Sequence, residues 1–325
     1  MAKIKEPPFI WHNGEIKPWQ DATVHVMAHG LHYGSSVFEG IRVYETPGGS
    51  AVFRLTDHLK RMYDSARIYH MPIPYDFDQL HQACTTIVTR NGLEHAYLRP
   101  IAYRGYGTMG VAPDPDTPVE VAVAAWDWGA YLGEEAKTRG VDVCISSWHR
   151  VAPNTIPAMA KAGGNYLSSQ LIAIEAHDRG FGEGIALGTN GLLSEGSGEN
   201  LFVVRDGKLY TPPSGSSILC GITRDTVFTL ARQQGLEVVE QSLPREMLYI
   251  ADELFFTGTA AEITPIRSVD GIEVRCGGRG PITEKLQQLF FGLFDGSTED
   301  QWGWLEYCPK PEGDKASHVA AAVTV

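Results

Sequence analysis

Lys161 is the clearest candidate for a chemically reactive side chain, because it lies among small residues shortly before the pair Gly163-Gly164. A lysine in such surroundings cannot easily return its ammonium group to water. An amine held away from water is available as a nucleophile, and it is the group that forms a Schiff base with a carbonyl compound. An ordinary solvated loop lysine is the commoner alternative. The choice depends on whether the chain also supplies the groups that a phosphorylated aldehyde requires.

Three other segments could supply those groups. The sequence from Gly221 to Thr223 opens a helical pattern, and a helix N-terminus offers N–H donors and a positive dipole end to a phosphate. A strand predicted from Leu254 ends in Thr-Gly-Thr-Ala, which could aim a second hydroxyl at the same phosphate. Glu195 follows the turn of a predicted hairpin. Each also fits a plainer interpretation, as a helix start or a solvated turn.

A possible carboxylate anchor lies on the strand predicted over residues 96–103. Alternation with a period of two places Tyr97, Arg99 and Tyr103 on one face of this strand. An arginine between aromatic rings could bind the carboxylate of a ligand. A structural ion pair is an equally common role for such an arginine, so both interpretations stay open.

Two further features of the first half are ambiguous. Residues 24–42 are rich in glycine, histidine and aromatic residues, so the backbone could approach a ligand closely between Tyr33 and Phe38. A glycine-rich packing turn explains the same composition equally well. Arg61 lies off the apolar stripe of a helix predicted after Thr56, where a solvated arginine is the simpler interpretation.

Composition restricts the class of protein. The 325 residues are 43% hydrophobic and 20% charged, as in a folded protein of one or two domains. The formal net charge of −12 argues against nucleic acid or a membrane surface as partner. No stretch approaches the roughly 20 apolar residues of a membrane span, and no signal peptide is recognisable. Five scattered cysteines without a C-x-x-C motif argue against metal and disulfide sites and predict a cytoplasmic protein.

The elements that position these residues form two groups. We predict a small N-terminal α/β domain over residues 1–128, a polar linker over 129–140, a large domain over 141–308 and a disordered tail over 309–325. Patterns in the first group predict a hairpin at 9–16, helices after Thr56 and over 78–91, and strands over 96–103 and 119–126. Patterns in the second predict strands at 141–145, 184–187, 192–195, 201–204, 208–210, 237–242 and from 254, with helices at 167–179, 222–234, 244–250 and 282–294.

Taken together, these segments resemble the branched-chain amino acid aminotransferases, which are pyridoxal 5′-phosphate (PLP) enzymes of fold type IV. The resemblance runs from Trp11 to about Trp304. It is carried by the residues 32–42, 97–100, 109–111, 128–133, 160–166, 194–202, 221–225 and 258–262. Each motif is short, but their joint order and spacing are specific. The resemblance implies an α+β fold with a small N-terminal α/β domain and a larger C-terminal pseudo-barrel domain.

The resemblance also implies how the cofactor is held. Lys161 would bind PLP covalently and carry the proton between the substrate Cα and the cofactor. Glu195 would face the pyridine nitrogen and favour the protonated ring, which is the better electron sink. Tyr166 would donate to the phenolic oxygen of the ring. The phosphate would be held by Arg61, Ile222, Thr223 and Thr259.

Two unlike substrates must share the site of such a transaminase. These are a branched-chain amino acid (leucine, isoleucine or valine) and the acidic pair glutamate and 2-oxoglutarate. An apolar wall alone would reject the acidic pair, so the resemblance assigns its distal carboxylate to Arg99. The α-carboxylate would rest on backbone amides near Thr259 and Ala260, helped by Tyr97. The other substrate-binding residues implied are Tyr33, Phe38, Gly40, Met109, Val111, Trp128 and Tyr131.

The resemblance further implies a homodimer, in which a loop of one subunit completes the pocket of the other, and which can assemble further, for example into a hexamer. D-amino acid aminotransferases, aminodeoxychorismate lyases and R-selective amine transaminases share the fold. We expect them to differ around Tyr97-x-Arg99 and at residues 109–111. A catalytically inactive binding protein is the alternative from another class, and the presence of both Lys161 and Glu195 argues against it.

Overall fold

The structure, a computed structural model, describes residues 4–129, 132–133 and 135–310. Tyr131 and most of the predicted tail lie outside the described residues. The strands are β1 (Phe9–His12), β2 (Glu15–Pro18), β3 (Ser36–Phe38), β4 (Ile41–Thr46), β5 (Gly49–Phe53), β6 (Ala96–Arg104), β7 (Val119–Trp126), β8 (Val141–Ile145), β9 (Glu183–Leu187), β10 (Leu193–Gly196), β11 (Asn200–Arg205), β12 (Lys208–Thr211), β13 (Val238–Glu240), β14 (Glu253–Gly258), β15 (Glu262–Val269), β16 (Ile272–Glu273) and β17 (Leu305–Tyr307). The helices are α1 (His29–Tyr33), α2 (Leu55–Ile68), α3 (Phe77–Arg90), α4 (Ala136–Arg139), α5 (Tyr166–Asp178), α6 (Ile222–Gln233), α7 (Met247–Ile250) and α8 (Pro281–Asp295).

Local sequence explains where several elements begin and end. The turn between β1 and β2 consists of Asn13 and Gly14, both with positive φ, as a tight hairpin requires. Helix α3 begins at a capping box, in which the side chains of Asp76 and Gln79 each accept a hydrogen bond from the other residue's backbone N–H. Helix α8 begins with Pro281 and ends at a left-handed glycine. These elements therefore follow from short-range signals.

The first sheet has eight strands in the order β17-β5-β4-β6-β7-β1-β2, with β3 paired to β6. Strands β6 and β7 form its antiparallel centre, paired from Tyr97 to Arg104 of β6. Helices α2 and α3 pack on this sheet, and Leu59, Leu80 and Leu98 are fully buried in the shared core. The core fixes the position of β6 and of α2, which carry two predicted site arginines.

The second sheet has nine strands in the order β10-β9-β8-β15-β14-β11-β12-β13, with β16 paired to β15. Both of its faces are covered, because the successive residues Phe255 and Phe256 belong to different hydrophobic cores. Helices α6 and α8 cover one face, where Phe202 stacks on Phe255 with ring centroids 5.0 Å apart. The two sheets with their packed helices form the α+β fold that was predicted.

Strands β3, β4, β5, β15 and β16 were not predicted, and two further features differ from the sequence-based expectations. Strand β17 falls in the range predicted for the large domain, yet Leu305 pairs with Phe53 of the first sheet. Thr56 does not precede α2 but lies within it, and its backbone N–H and hydroxyl donate to Glu306 at 2.7 and 2.9 Å. The first difference arises because the C-terminal segment returns to the first sheet over a separation that local patterns do not reveal. The domain limits themselves stay a prediction.

Helices that could cross a membrane are absent from the described part of the chain. Within the same residues, no cluster of three or more acidic, histidine or cysteine side chains is placed to hold a metal ion.

Candidate active site

A cavity of about 230 Å³ is lined by residues of both sheets. It brings together segments that are far apart in sequence, and it contains most of the predicted site. The predicted residues that line it are Phe38, Gly40, Arg61, Tyr97, Arg99, Trp128, Lys161, Tyr166, Glu195, Ile222, Thr223, Thr259 and Ala260. Three groups among them, an amine, a buried carboxyl and an anion-binding helix end, determine what the cavity can bind.

The amine belongs to Lys161, whose backbone is held from two sides. Its carbonyl oxygen accepts from Phe38 N at 3.0 Å, and its N–H donates to Ser65 Oγ at 2.9 Å. The side-chain Nζ donates to the Tyr166 hydroxyl at 2.6 Å and lies 5.1 Å from the ring centre of Phe38. The amine is therefore fixed at an aromatic wall of the cavity, with no carboxylate beside it among the described residues.

The buried carboxyl belongs to Glu195 on β10. Its Oε1 lies 2.7 Å from Nη2 of Arg150, and its Oε2 accepts from Asn200 Nδ2 and Leu219 N, both at 3.0 Å. Burial raises the pKa of Glu195, and the Arg150 guanidinium and the Leu219 amide oppose this shift. Arg150 was not predicted, because nothing in its sequence neighbourhood connects it with a carboxyl 45 positions later.

Arg61 is oriented towards the cavity by a residue that the sequence analysis missed. Its Nε and Nη2 bind the two carboxylate oxygens of Glu39 at 2.7 Å each, and its Nη1 donates to the carbonyl of Cys220 at 2.9 Å. Glu39 is fully buried, which alone would raise its pKa, but Arg61 and His58 hold the pKa well below its usual range. This bidentate pair holds the guanidinium of Arg61 in one orientation, so the group is preorganised.

The N-terminus of α6 provides backbone donors next to Arg61. Its cap is Gly221, where a side chain would collide with that of Asn200, so only glycine permits this close approach. The hydroxyl of Thr257 is buried at the same cavity without a hydrogen-bond partner. Free N–H groups, a guanidinium and hydroxyls form a site for a phosphate. The backbone and hydroxyl donors that were predicted for it are those of Ile222, Thr223 and Thr259.

Arg99 lies at the opposite end of the cavity without a carboxylate partner among the described residues. Its guanidinium carbon is 4.7 Å from the ring centre of Phe38 and 5.3 Å from that of Tyr97. Its Nε is buried and has no hydrogen-bond partner. The sequence left two interpretations of Arg99 open, a structural ion pair and an anchor for a ligand carboxylate. The absence of an ion pair among the described residues favours the ligand anchor. Gly40 makes room here, because a side chain at this position would collide with the Tyr97 hydroxyl.

Arg42 is a second residue that the sequence analysis missed. It is buried, and its guanidinium donates to the carbonyls of Trp128 at 2.9 Å, Gly129 at 3.1 Å and Ala260 at 3.1 Å. One side chain thus connects the segment after β7 to the turn after β14. Because the carbonyls of this turn face Arg42, its conformation at the cavity wall is fixed.

Three predicted substrate residues are not brought into this cavity. Tyr33, Met109 and Val111 are 44%, 41% and 85% exposed in the chain, and none of them lines it. The prediction that they share one pocket with Arg99 is therefore not met within a single chain. Tyr131 lies outside the described residues.

Comparisons with known proteins identify the family. Residues 36–269 match the model of the family described as amino-transferase class IV. The branched-chain-amino-acid aminotransferase of Salmonella typhimurium (strain LT2) is 57% identical over 302 residues, which are 93% of this chain and 98% of that protein. That of Pseudomonas aeruginosa is 48% identical, over 94% of this chain and 98% of that protein. A crystal structure of the Escherichia coli branched-chain amino acid aminotransferase has a TM-score of 0.92 at 56% identity and covers 93% of this chain and all of that one. The chain belongs to the class IV aminotransferase family.

Proposed function

We propose that the cavity binds PLP through Lys161 and performs reversible amino transfer between branched-chain amino acids and 2-oxoglutarate. The observation that carries this proposal is the presence of the Lys161 amine, the Glu195 carboxyl and the α6 N-terminus in one cavity. Relatives at 56–57% identity over nearly the whole chain are named branched-chain-amino-acid aminotransferases. The protein catalyses PLP-dependent transamination of leucine, isoleucine and valine, giving branched 2-oxo acids and glutamate.

The residues present fit this cofactor. Bound PLP supplies an aldehyde that accepts the amino group and a ring that delocalises the electron pair left when Cα–H breaks. Arg61, the α6 amides and the threonine hydroxyls suit its phosphate, and the partnerless Thr257 hydroxyl is one donor that a ligand would satisfy. Glu195 suits the ring nitrogen, where a carboxylate holds a proton. Tyr166 suits the phenolic oxygen, since its hydroxyl already lies 2.6 Å from the amine.

Lys161 is placed to move the proton during the reaction. Its free amine would be a base attached to the same cavity wall. The hydrogen bonds of its backbone to Phe38 and Ser65 keep that base at a constant position. The rings of Phe38 and Tyr166 lie 5.1 Å from this amine and form the apolar side of its surroundings.

The substrate end combines an apolar wall with one cation. Phe38, Tyr97 and Trp128 suit the aliphatic side chain of leucine, isoleucine or valine. The guanidinium of Arg99, whose buried Nε has no hydrogen-bond partner among the described residues, suits the distal carboxylate of glutamate or 2-oxoglutarate. The α-carboxylate, which every substrate carries, suits the amides of the turn that Arg42 fixes, together with the Tyr97 hydroxyl. Two unlike side chains can therefore be bound in turn.

A second copy of the chain is required to complete this pocket. Tyr33 and Val111 lie in two adjoining surface segments, residues 24–33 and 106–111, that are joined by the bridge between Ala28 and Tyr106. Further exposed apolar side chains of these segments are Val24, Val26, Met27, Leu31, Tyr106 and Met109. Such a surface is typical of a protein interface. We infer a homodimer that inserts Tyr33, Met109 and Val111 into the partner's pocket and that can assemble further, for example into a hexamer. We infer a cytoplasmic location for this assembly.

Val111→Asp is expected to weaken this dimer, because a charge would be buried in an apolar interface. We expect the dimer dissociation constant to rise at least about tenfold, equivalent to about 1.4 kcal/mol. The KM for leucine should rise with it. Sedimentation velocity over a concentration series measures the first effect, and Ile272→Asp, at a residue on β16 that is 51% exposed, is the control. An unchanged dissociation constant would show that residue 111 lies outside the interface.

A substrate panel tests the function itself. With 2-oxoglutarate as acceptor, we expect rapid transfer from leucine, isoleucine and valine, and little transfer from D-alanine or from an aliphatic amine without a carboxylate. A preference for D-alanine or for the amine would contradict the proposal. It would indicate another activity of the same fold.

Two buried glutamates at the cavity, Glu195 and Glu199, are expected to carry different charges. Burial raises the pKa of both carboxyls. Arg150 opposes the shift at Glu195, whereas the neighbouring buried carboxyl of Glu183 raises the pKa of Glu199 still further. We therefore expect Glu195 to be ionised and Glu199 to be neutral.

Substitution by glutamine distinguishes the two states, because glutamine has the shape and neutrality of a protonated glutamate. Glu195→Gln removes the charge that faces the ring, so we expect the rate to fall on the order of a hundredfold. Glu199→Gln should lose less than about tenfold, or 1.4 kcal/mol. Single-turnover rates with leucine give both values. Equal losses would refute the assignment of a neutral Glu199.

A further inference from the structure

The turn between β14 and β15 is held by groups that lie outside the cofactor cavity. Its residues are Thr259, Ala260 and Ala261, of which the first two line the cavity. The carbonyls of Thr259 and Ala260 accept from the Arg42 guanidinium at 3.4 and 3.1 Å. The carbonyl of Ala261 accepts from the Thr264 hydroxyl at 2.6 Å. Because N–H and C=O point in opposite directions across a trans peptide, the amide of Ala260 points away from Arg42, which does not line the cavity.

Glu262 ends this turn in an unfavourable backbone conformation. It is the first residue of β15, it pairs with Gly258, and its φ of 55° lies in the left-handed region. Eight non-glycine residues of the described chain have a positive φ, and four of them are asparagine or aspartate, which tolerate it. Of the eight, Arg54 and Glu262 are the two buried ones. A strained residue of this kind persists only where its surroundings impose the conformation, often at a functional site.

The side chain of Glu262 supplies what imposes it. Its Oε1 accepts from the Tyr44 hydroxyl at 2.8 Å, and its Oε2 lies 3.0 Å from the ammonium of Lys137. Tyr44 is itself fixed, because its ring stacks on that of Phe294 with the planes only 9° apart. Burial and the neighbouring Glu262 carboxylate raise the pKa of Tyr44, so its hydroxyl remains a donor. The carboxylate of Glu262 is therefore held from two sides.

Strand β4 contacts both ends of the turn. Arg42 and Tyr44 are two residues apart on this strand, so they lie on the same face. Arg42 binds the carbonyls at the start of the turn, and Tyr44 binds the side chain of Glu262 at its end. The backbone between them is thus restrained by the first sheet at two points, although the turn belongs to the second sheet.

We propose that Glu262 is a positioning residue for the α-carboxylate of the substrate. Its anchored side chain imposes the left-handed conformation that ends the turn, and this conformation keeps the amide of Ala260 directed at the substrate. Donors that are fixed before binding raise the affinity, because the turn is not ordered at the expense of binding. The assignment of the α-carboxylate to this turn rests on the proposed function.

Calorimetric titration of the holoenzyme with 4-methylvaleric acid tests the proposal. This acid carries a carboxylate on the apolar body of leucine, and its neutral amide, 4-methylvaleramide, is the matched ligand. Glu262→Ala should weaken the acid at least about tenfold and the neutral amide less than about threefold. Glu262→Gln, which can still accept from Tyr44, should recover most of the affinity. Equal weakening of acid and amide would indicate general damage to the cavity and would overturn the proposal.

Two further variants separate the anchor from the backbone. Glu262→Gly can adopt the same φ without strain but has no carboxylate, so it should also weaken the acid, though less than Glu262→Ala. Tyr44→Phe removes only the hydroxyl and should weaken the acid about threefold, even if the variants at residue 262 fail to fold. Tyr63→Phe, at a hydroxyl that donates to the carbonyl of Tyr75 at 2.8 Å, is the control and should bind normally. Wild-type affinity in Glu262→Gly or in Tyr44→Phe would overturn the proposal.

Half-reaction kinetics test the role in catalysis. Leucine and glutamate share the α-carboxylate, so Glu262→Ala should lower the second-order rate constant by the same factor with both, while cofactor absorbance stays unchanged. A loss confined to one substrate, or a loss of cofactor, would overturn the proposal. A wild type that binds the acid without transferring the amino group of leucine would refute only the proposed function. A wild type that does not bind the acid would overturn the positioning role.

Discussion

Lys161→Ala is expected to abolish multiple turnover while the fold persists. The substitution removes the amine that we propose both holds the cofactor and moves the proton. General base catalysis alone contributes up to about 10⁴-fold, so we expect a loss of at least about a thousandfold in kcat. The backbone hydrogen bonds of residue 161 to Phe38 and Ser65 do not involve the side chain and should remain.

Turnover and cofactor absorbance measure the two losses separately. The variant reconstituted with PLP should lack the absorbance of the lysine-bound cofactor, and its thermal unfolding should stay close to that of the wild type. Lys208→Ala, at a surface lysine paired with Glu237, is the matched control and should behave as the wild type. Normal turnover by a reconstituted Lys161→Ala enzyme would refute the mechanism as a whole.

Arg99→Met is expected to separate the two half-reactions. Glutamate and 2-oxoglutarate carry the distal carboxylate that Arg99 is proposed to bind, whereas leucine and its 2-oxo acid carry none. Truncating one partner of a buried charge pair costs about 2–5 kcal/mol, so the half-reaction with glutamate should lose between about thirtyfold and a few thousandfold. The half-reaction with leucine should be nearly unchanged, since methionine extends the apolar wall.

Stopped-flow measurement of each half-reaction is the appropriate experiment, because steady-state turnover combines both. Arg90→Met, at an exposed arginine of α3, is the control. Equal losses in both half-reactions would mean that Arg99 is structural or binds the shared α-carboxylate. We also expect Arg99→Met to unfold at a higher temperature than the wild type, because it removes a buried Nε without a partner.

Sequence reasoning located the residues that line the cavity better than those that hold them in place. Lys161 and Glu195 lie in recognisable local motifs, and the structure places both in one cavity. Arg42 was missed because it acts on Ala260, 218 positions away, and no spacing rule connects the two. Arg150 and Glu39 were missed for the same reason, since a buried ion pair is visible only after the chain has folded.

Three predicted substrate residues lie outside the cavity of one chain for a different physical reason. Tyr33 and Val111 were assigned to the pocket by resemblance, but within one chain they are on the surface. Their proposed role depends on a second copy, which no local pattern of one chain describes. Strand β17 was missed because three residues are too short to show a period of two.

The position of β17 also bears on when the enzyme can become active during its synthesis. Glu306 on β17 accepts hydrogen bonds from Thr56 at 2.7 and 2.9 Å and from His81 at 2.8 Å. Helix α2 carries Arg61 and also Ser65, which binds the backbone of Lys161. A nascent chain still lacking residues 305–307 would present a frayed α2 to the cofactor. We therefore expect loading of the cofactor to be a late step, which follows release of the last part of the chain from the ribosome.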